Sequence, residues 1–149
     1  MNDVFHPVLN NNSIFKIHQS KDESFLYSIL AALYSNRINV RQFHQVNAYA
    51  RYKKLLNIGN ITFPMKNKDI NVFLKNNPNL DISIRLFDSI TISKTDMQIY
   101  EYRFIGKGHK VINLLFHKSY KNKKSFYHYF WIKNICLLYT SDAADEVVS

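Results

Sequence analysis

Asn77-Pro78-Asn79-Leu80-Asp81-Ile82-Ser83-Ile84-Arg85-Leu86 is the stretch that decides the fold. Before Asn77-Pro78, apolar residues recur at helical spacing. After it, Ile82, Ile84 and Leu86 alternate with Asp81, Ser83 and Arg85, the period of a strand with one buried face. Asn76-Asn77-Pro78 is the breaker between the two regimes, because proline cannot continue a helix and biases its predecessor to extended backbone. Helices first and strands later, without alternation of the two, predict an α+β domain with a mostly antiparallel, four-stranded sheet.

Reading back from the breaker, the pattern predicts a short helix over about 68–76. A second is expected over about 40–56, where Val46, Tyr49, Ala50 and the apolar residues of 52–56 recur at helical spacing and Arg41, Arg51, Lys53 and Lys54 fill the wet face. A third is expected over about 21–35: Ser20 followed by Glu23 has the spacing of a capping box, and residues 24–34 are apolar nearly all round, as in a buried helix. Residues 1–19 form an irregular lead-in or a short strand. Reading forward, residues 97–104 alternate, Gly106-Lys107-Gly108 is a turn, and strands are expected over 111–116 and 126–135, joined by the basic loop 118–124.

The chain has 149 residues and 46% hydrophobic content, enough for one packed core and too much for disorder. With three Gly and three Pro it is neither collagen-like nor a low-complexity linker. No apolar run approaches the roughly 18 residues of a membrane span, and no signal-peptide pattern opens the chain. An intracellular domain, cytoplasmic or nuclear, is the expectation. The abundance of Asn, Lys, Ile, Tyr and Phe matches AT-rich codons, so the lysine count alone says little about function.

Composition breaks after Ile135. All 20 Lys and Arg precede it, while Asp142, Asp145 and Glu146 follow it; residues 1–135 therefore hold 20 basic against 8 acidic residues, a charge of +12. The segment Cys136-Leu137-Leu138-Tyr139-Thr140-Ser141-Asp142-Ala143-Ala144-Asp145-Glu146 resembles the in-frame translation of a transposase-based sequencing-library adapter. That resemblance implies that residues 136–149 are adapter-derived, that the single cysteine is foreign, and that the protein continues beyond Ile135. The organisation expected is thus a lead-in over 1–19 and one α+β domain over 20–135, incomplete at its C-terminus.

Chemistry is sparse. The six histidines include no pair at the i,i+4 spacing of a helical metal site, and no native thiol completes one, so neither metal nor cofactor is expected. Phosphate-binding loops, dinucleotide fingerprints and nucleophile elbows are missing. Lys118, Lys121, Lys123 and Lys124 form the densest charge cluster, which suits phosphate contact, with Tyr120, Phe126 and Tyr127 beside it for base stacking. Arg37, Arg41 and Arg51 are further candidate phosphate contacts. Ser24 stands at the start of a buried helix and His128 on a late aromatic strand, the layout of papain-like thiol hydrolases.

Over roughly residues 20–135 the chain resembles a domain of invertebrate proteins from Maverick/Polinton-type DNA transposons and related viruses. The resemblance is carried by Ser24-Phe25-Leu26-Tyr27-Ser28-Ile29-Leu30-Ala31, Leu56-Asn57-Ile58-Gly59, Phe63-Pro64, Lys68-Asp69-Ile70, Asn77-Pro78, Ile82-Ser83-Ile84, Ile92-Ser93-Lys94, His109, Asn113-Leu114-Leu115 and His128-Tyr129-Phe130-Trp131-Ile132-Lys133-Asn134. In that family the domain precedes zinc-finger-like modules and a protein-primed family B DNA polymerase. The resemblance implies DNA, or downstream polymerase domains of the same polyprotein, as partners. The family's Cys and His-Tyr pair also resemble the nucleophile and base of papain-like or ovarian-tumour-type peptidases. Here Ser24 replaces that Cys, and a serine hydroxyl lacks the accessible thiolate on which such sites depend. The resemblance then implies an inactive peptidase-like site of Ser24 as nucleophile, His128 as base and Asn134 as orienting residue, with Asp22 as the alternative third group. Two alternatives accompany it, a basic nucleic-acid-binding module and a decayed open reading frame.

Overall fold

The computed structural model describes residues 13–18 and 20–135. A two-residue strand β1 (Ile14–Phe15) leads through a 3-10 turn (Lys21–Glu23) into α1 (Ser24–Tyr34). A short helix α2 (Ala50–Lys53) and the longer α3 (Asn67–Asn76) follow. Then come β2 (Ile82–Thr91), β3 (Met97–Ile105), β4 (Lys110–Lys121) and β5 (Lys124–Ile132). The fold is α+β, and the adapter-like tail lies outside the described residues.

The sheet has five strands in the order β1-β5-β4-β2-β3, and β2 and β4 run parallel, Ile82 opposite Lys110 through Phe87 opposite Leu115. The expected four strands are corrected to five, and the sheet is mixed: three of its four pairings are antiparallel, as expected, and β2–β4 is parallel. Alternation reveals that a strand exists but not which strand it pairs with. Because β3 folds back outside β2, the returning chain reaches β2's other edge only by crossing the strand's start. Gly108 sits at that crossing, where a Cβ would collide with the backbone of Asp81 and Ile82. Ser83 Oγ donates to Gly108 O at 2.9 Å and ties the crossing down.

α1 starts as anticipated, but without the capping box: Ser20 makes no side-chain cap. Glu23 instead pairs with Lys53 Nζ at 2.8 Å, linking α1 to α2. α3 matches its expected span, with Asp69 Oδ2 accepting the Lys66 N–H at 3.1 Å at its start. The buried Asn77 closes it, donating to Phe73 O at 2.9 Å and to Asn57 O at 2.7 Å.

The helix expected over 40–56 is not formed as such. Residues 40–44 are turns, Gln45 is an extended bridge residue, Val46–Tyr49 is 3-10, and only Ala50–Lys53 is α-helical. Asn39 Oδ1 captures the Arg41 N–H at 2.9 Å, a local bond that competes with helix. His18 N–H donates to His44 O at 2.7 Å, pinning this segment to the chain after β1 in an extended bridge. Val40, 73% exposed, has no core to face.

The main core lies between the helices and one face of the sheet, with Phe25, Leu26, Ile29, Ile70 and Phe73 packed on Ile84, Leu86, Leu114 and Tyr129. A second cluster, including Phe87, Leu115, Phe130 and Ile132, lies on the opposite face. No helix among the described residues is long and apolar enough to cross a membrane.

Candidate nucleic-acid interface

Ser24 and Ser28, one helical turn apart on α1, both reach the backbone of Tyr129 on β5. Ser24 Oγ accepts the Tyr129 N–H at 3.0 Å, and Ser28 Oγ donates to Tyr129 O at 3.0 Å. β1 covers the outer edge of β5 only at Trp131 and Ile132. Two residues further along, the outward-facing peptide groups belong to Tyr129, and the two serine hydroxyls take the place of the missing strand. Tyr129 also packs its ring edge-on to Phe25 and donates its hydroxyl to Asn67 Oδ1 at 2.8 Å. Burial pushes its phenol well above the ordinary tyrosine range.

This geometry separates the residues of the hydrolase layout. Successive side chains on a strand leave opposite faces. Tyr129 belongs to the helix-side core and Phe130 to the opposite cluster, so His128 shares the face of Phe130 and turns away from Ser24. Asn134 lies beyond the end of β5, six residues after His128. Of the expected grouping of Ser24, His128 and Asn134, Ser24 is a buried hydroxyl engaged by the Tyr129 backbone amide, and His128 lies on the other face of the strand. Sequence order placed a helix start near a late strand, and the pleat decided which side chain met it.

The lysine cluster is better assembled. β4 and β5 pair from Leu114–Trp131 to Lys121–Lys124, whereas β2 follows β4 only as far as Leu115. From His117 opposite His128 to the turn, the two strands run on as a ribbon about 17 Å long, paired only to each other among the described residues. Asn122 and Lys123, with φ of 53° and 63°, close it in the left-handed pair of conformations that suits a two-residue hairpin. Lys118, Lys123 and Lys124 are exposed, and Lys118 Nζ lies 5.8 Å from the Tyr127 ring centre. Tyr120 is 73% exposed. A cleft of about 500 Å³, lined by Phe63, Pro64 and Met65 among others, flanks the β5 side.

The chain around the ribbon is also free of acids, a signal that its charge pattern holds without any coordinates. Residues 102–135 contain eight Lys and Arg and no Asp or Glu. The ribbon therefore carries no carboxylate that could neutralise its own lysines. Arg37 and Arg51 lie elsewhere, against Tyr34 and Tyr52, and Arg41 is exposed in the turns before α2. Among the described residues, no three His, Cys, Asp or Glu side chains gather as a metal site. Comparison with family models, curated proteins and solved structures returns no match.

Proposed function

We propose that this domain binds nucleic acid through the β4–β5 ribbon, as a catalytically silent module of a replication protein of mobile-element or viral type. The observation that carries the reading is the ribbon itself: two strands extending past their neighbours, with exposed lysines and no acidic side chain. A two-stranded ribbon is narrow enough for a DNA major groove, and lysines along it supply sequence-independent phosphate contacts. Exposed Tyr120 at its side offers a stacking surface for an unpaired base. The origin of the domain rests on the sequence resemblance, and its silence on Ser24 standing where that family has Cys.

Fluorescence anisotropy with labelled duplex and single-stranded DNA, titrated at several salt concentrations, tests the binding. Parent protein is expected to lose affinity steeply with salt. The triple variant K118Q/K123Q/K124Q should lower the log–log slope by about 2 to 3, at roughly 0.7–0.9 for each phosphate no longer neutralised. An unchanged slope would remove the ribbon from the interface.

A further inference from the structure

Tyr34, at the end of α1, and Tyr52, in α2, stack with ring centres 4.2 Å apart and planes 11° from parallel. That gap is a single layer of contact and admits nothing between the rings. Arg37 lies over Tyr34 at 5.8 Å and Arg51 over Tyr52 at 5.0 Å, so each guanidinium covers an outer face. The result is a four-layer stack, arginine on tyrosine on tyrosine on arginine, built from residues on both sides of the turn-rich segment that replaces the expected helix. Both arginines are exposed, and no described carboxylate forms an ion pair with either. The surrounding sequence explains why: residues 24–68 hold seven Lys and Arg and no Asp or Glu.

We infer that Arg37 and Arg51 form a second phosphate-binding site, which takes backbone phosphates of nucleic acid. The inference rests on the nucleic-acid reading of the ribbon. A guanidinium held against a ring keeps its N–H edge free for a phosphate, and the fixed stack reduces the rotamer freedom lost on binding. Each ring has one face closed by the other tyrosine, and its arginine lies within cation–π distance. The contact inferred is to phosphate and carries no sequence preference.

The experiment is the same salt titration, run on R37Q/R51Q, R37K/R51K and the ribbon triple variant. R37Q/R51Q should lower the slope by about 1.4 to 1.8, equally for unrelated sequences, while R37K/R51K retains it. Near-ultraviolet circular dichroism confirms that each variant is folded. A parent slope unchanged in R37Q/R51Q overturns the site, as does a loss confined to one sequence. If the ribbon triple variant keeps the full slope while R37Q/R51Q loses it, the ribbon reading fails and the arginine site stands. Parent protein that binds no DNA at any salt overturns both.

Discussion

Ser24 Oγ lies 3.0 Å from the backbone nitrogen of Tyr129, across 105 residues of sequence, and the bond is buried. It joins the first turn of α1 to the uncovered edge of β5, where the two-residue β1 has run out. Ser28 completes the pairing from the next turn, so one residue of the sheet is held at both its N–H and its C=O by side chains.

Removing either hydroxyl strands a buried backbone group. Ser24→Ala and Ser28→Ala are each expected to destabilise the domain by about 1 to 3 kcal/mol, read from urea unfolding midpoints at constant m. The double variant should fall short of the sum, because both bonds hold the same residue. Single variants within about 0.3 kcal/mol of the parent would show that water reaches this edge.

Ser24→Cys tests what the position can do as a thiol. In a background with Cys136→Ser, the new thiol should react with iodoacetamide at least about ten-fold more slowly in native protein than in denatured protein, because Ser24 is buried against Tyr129. Rapid native labelling would instead indicate an accessible, activated thiolate and revive the hydrolase layout.

Tyr49 is fully buried and donates its hydroxyl to Phe43 O at 2.6 Å. Burial pushes its phenol from 10 up to about 12. A group whose pKa rises on folding contributes stability that is complete below its unfolded value and fades as pH climbs towards the folded one. Stability should therefore decline between pH 10 and about 12. Tyr49→Phe should flatten that limb while costing about 1 kcal/mol at neutral pH. An alkaline limb identical in the variant would assign the decline to other groups, with Tyr129 first among them.

Gly108→Ala probes the crossing that permits the parallel pair. The added methyl meets the backbone of Asp81 and Ile82, which has no side-chain freedom with which to yield. A destabilisation of about 1 to 3 kcal/mol is expected, with faster amide exchange across Ile82–Lys110 and its neighbours. Unperturbed exchange would mean that the crossing loop moves aside at little cost.

Much of the fold is legible along the chain. The alternation of Ile82, Ile84 and Leu86, the breaker at Asn77-Pro78 and the apolar run of α1 each mark an element whose identity depends on neighbours close in sequence. The expected helix over 40–56 failed for a local reason and a distant one. Asn39 bends the backbone at Arg41, and the chain around His18 bonds to the His44 carbonyl and holds Gln45 extended. β1 is too short to show a period, yet its length determines how much of β5's edge is left for Ser24 and Ser28.

The candidate surfaces divide in the same way. The lysines of the ribbon and the absence of acids around them can be read directly, because charge composition needs no coordinates. That Arg37 and Arg51 bracket two tyrosines could not be read, since the turns between them set the approach. The pairing of Ser24 with the backbone of Tyr129, instead of the ring of His128, also depends on tertiary structure. Sequence determined that a helix start and an aromatic strand exist, and that the molecule is basic. Tertiary structure decided strand order, the parallel pair and the partner of each polar group. The physical reason is that periodicity and charge are properties of a segment alone, whereas register, crossing and hydrogen-bond partner depend on which segment packs against it.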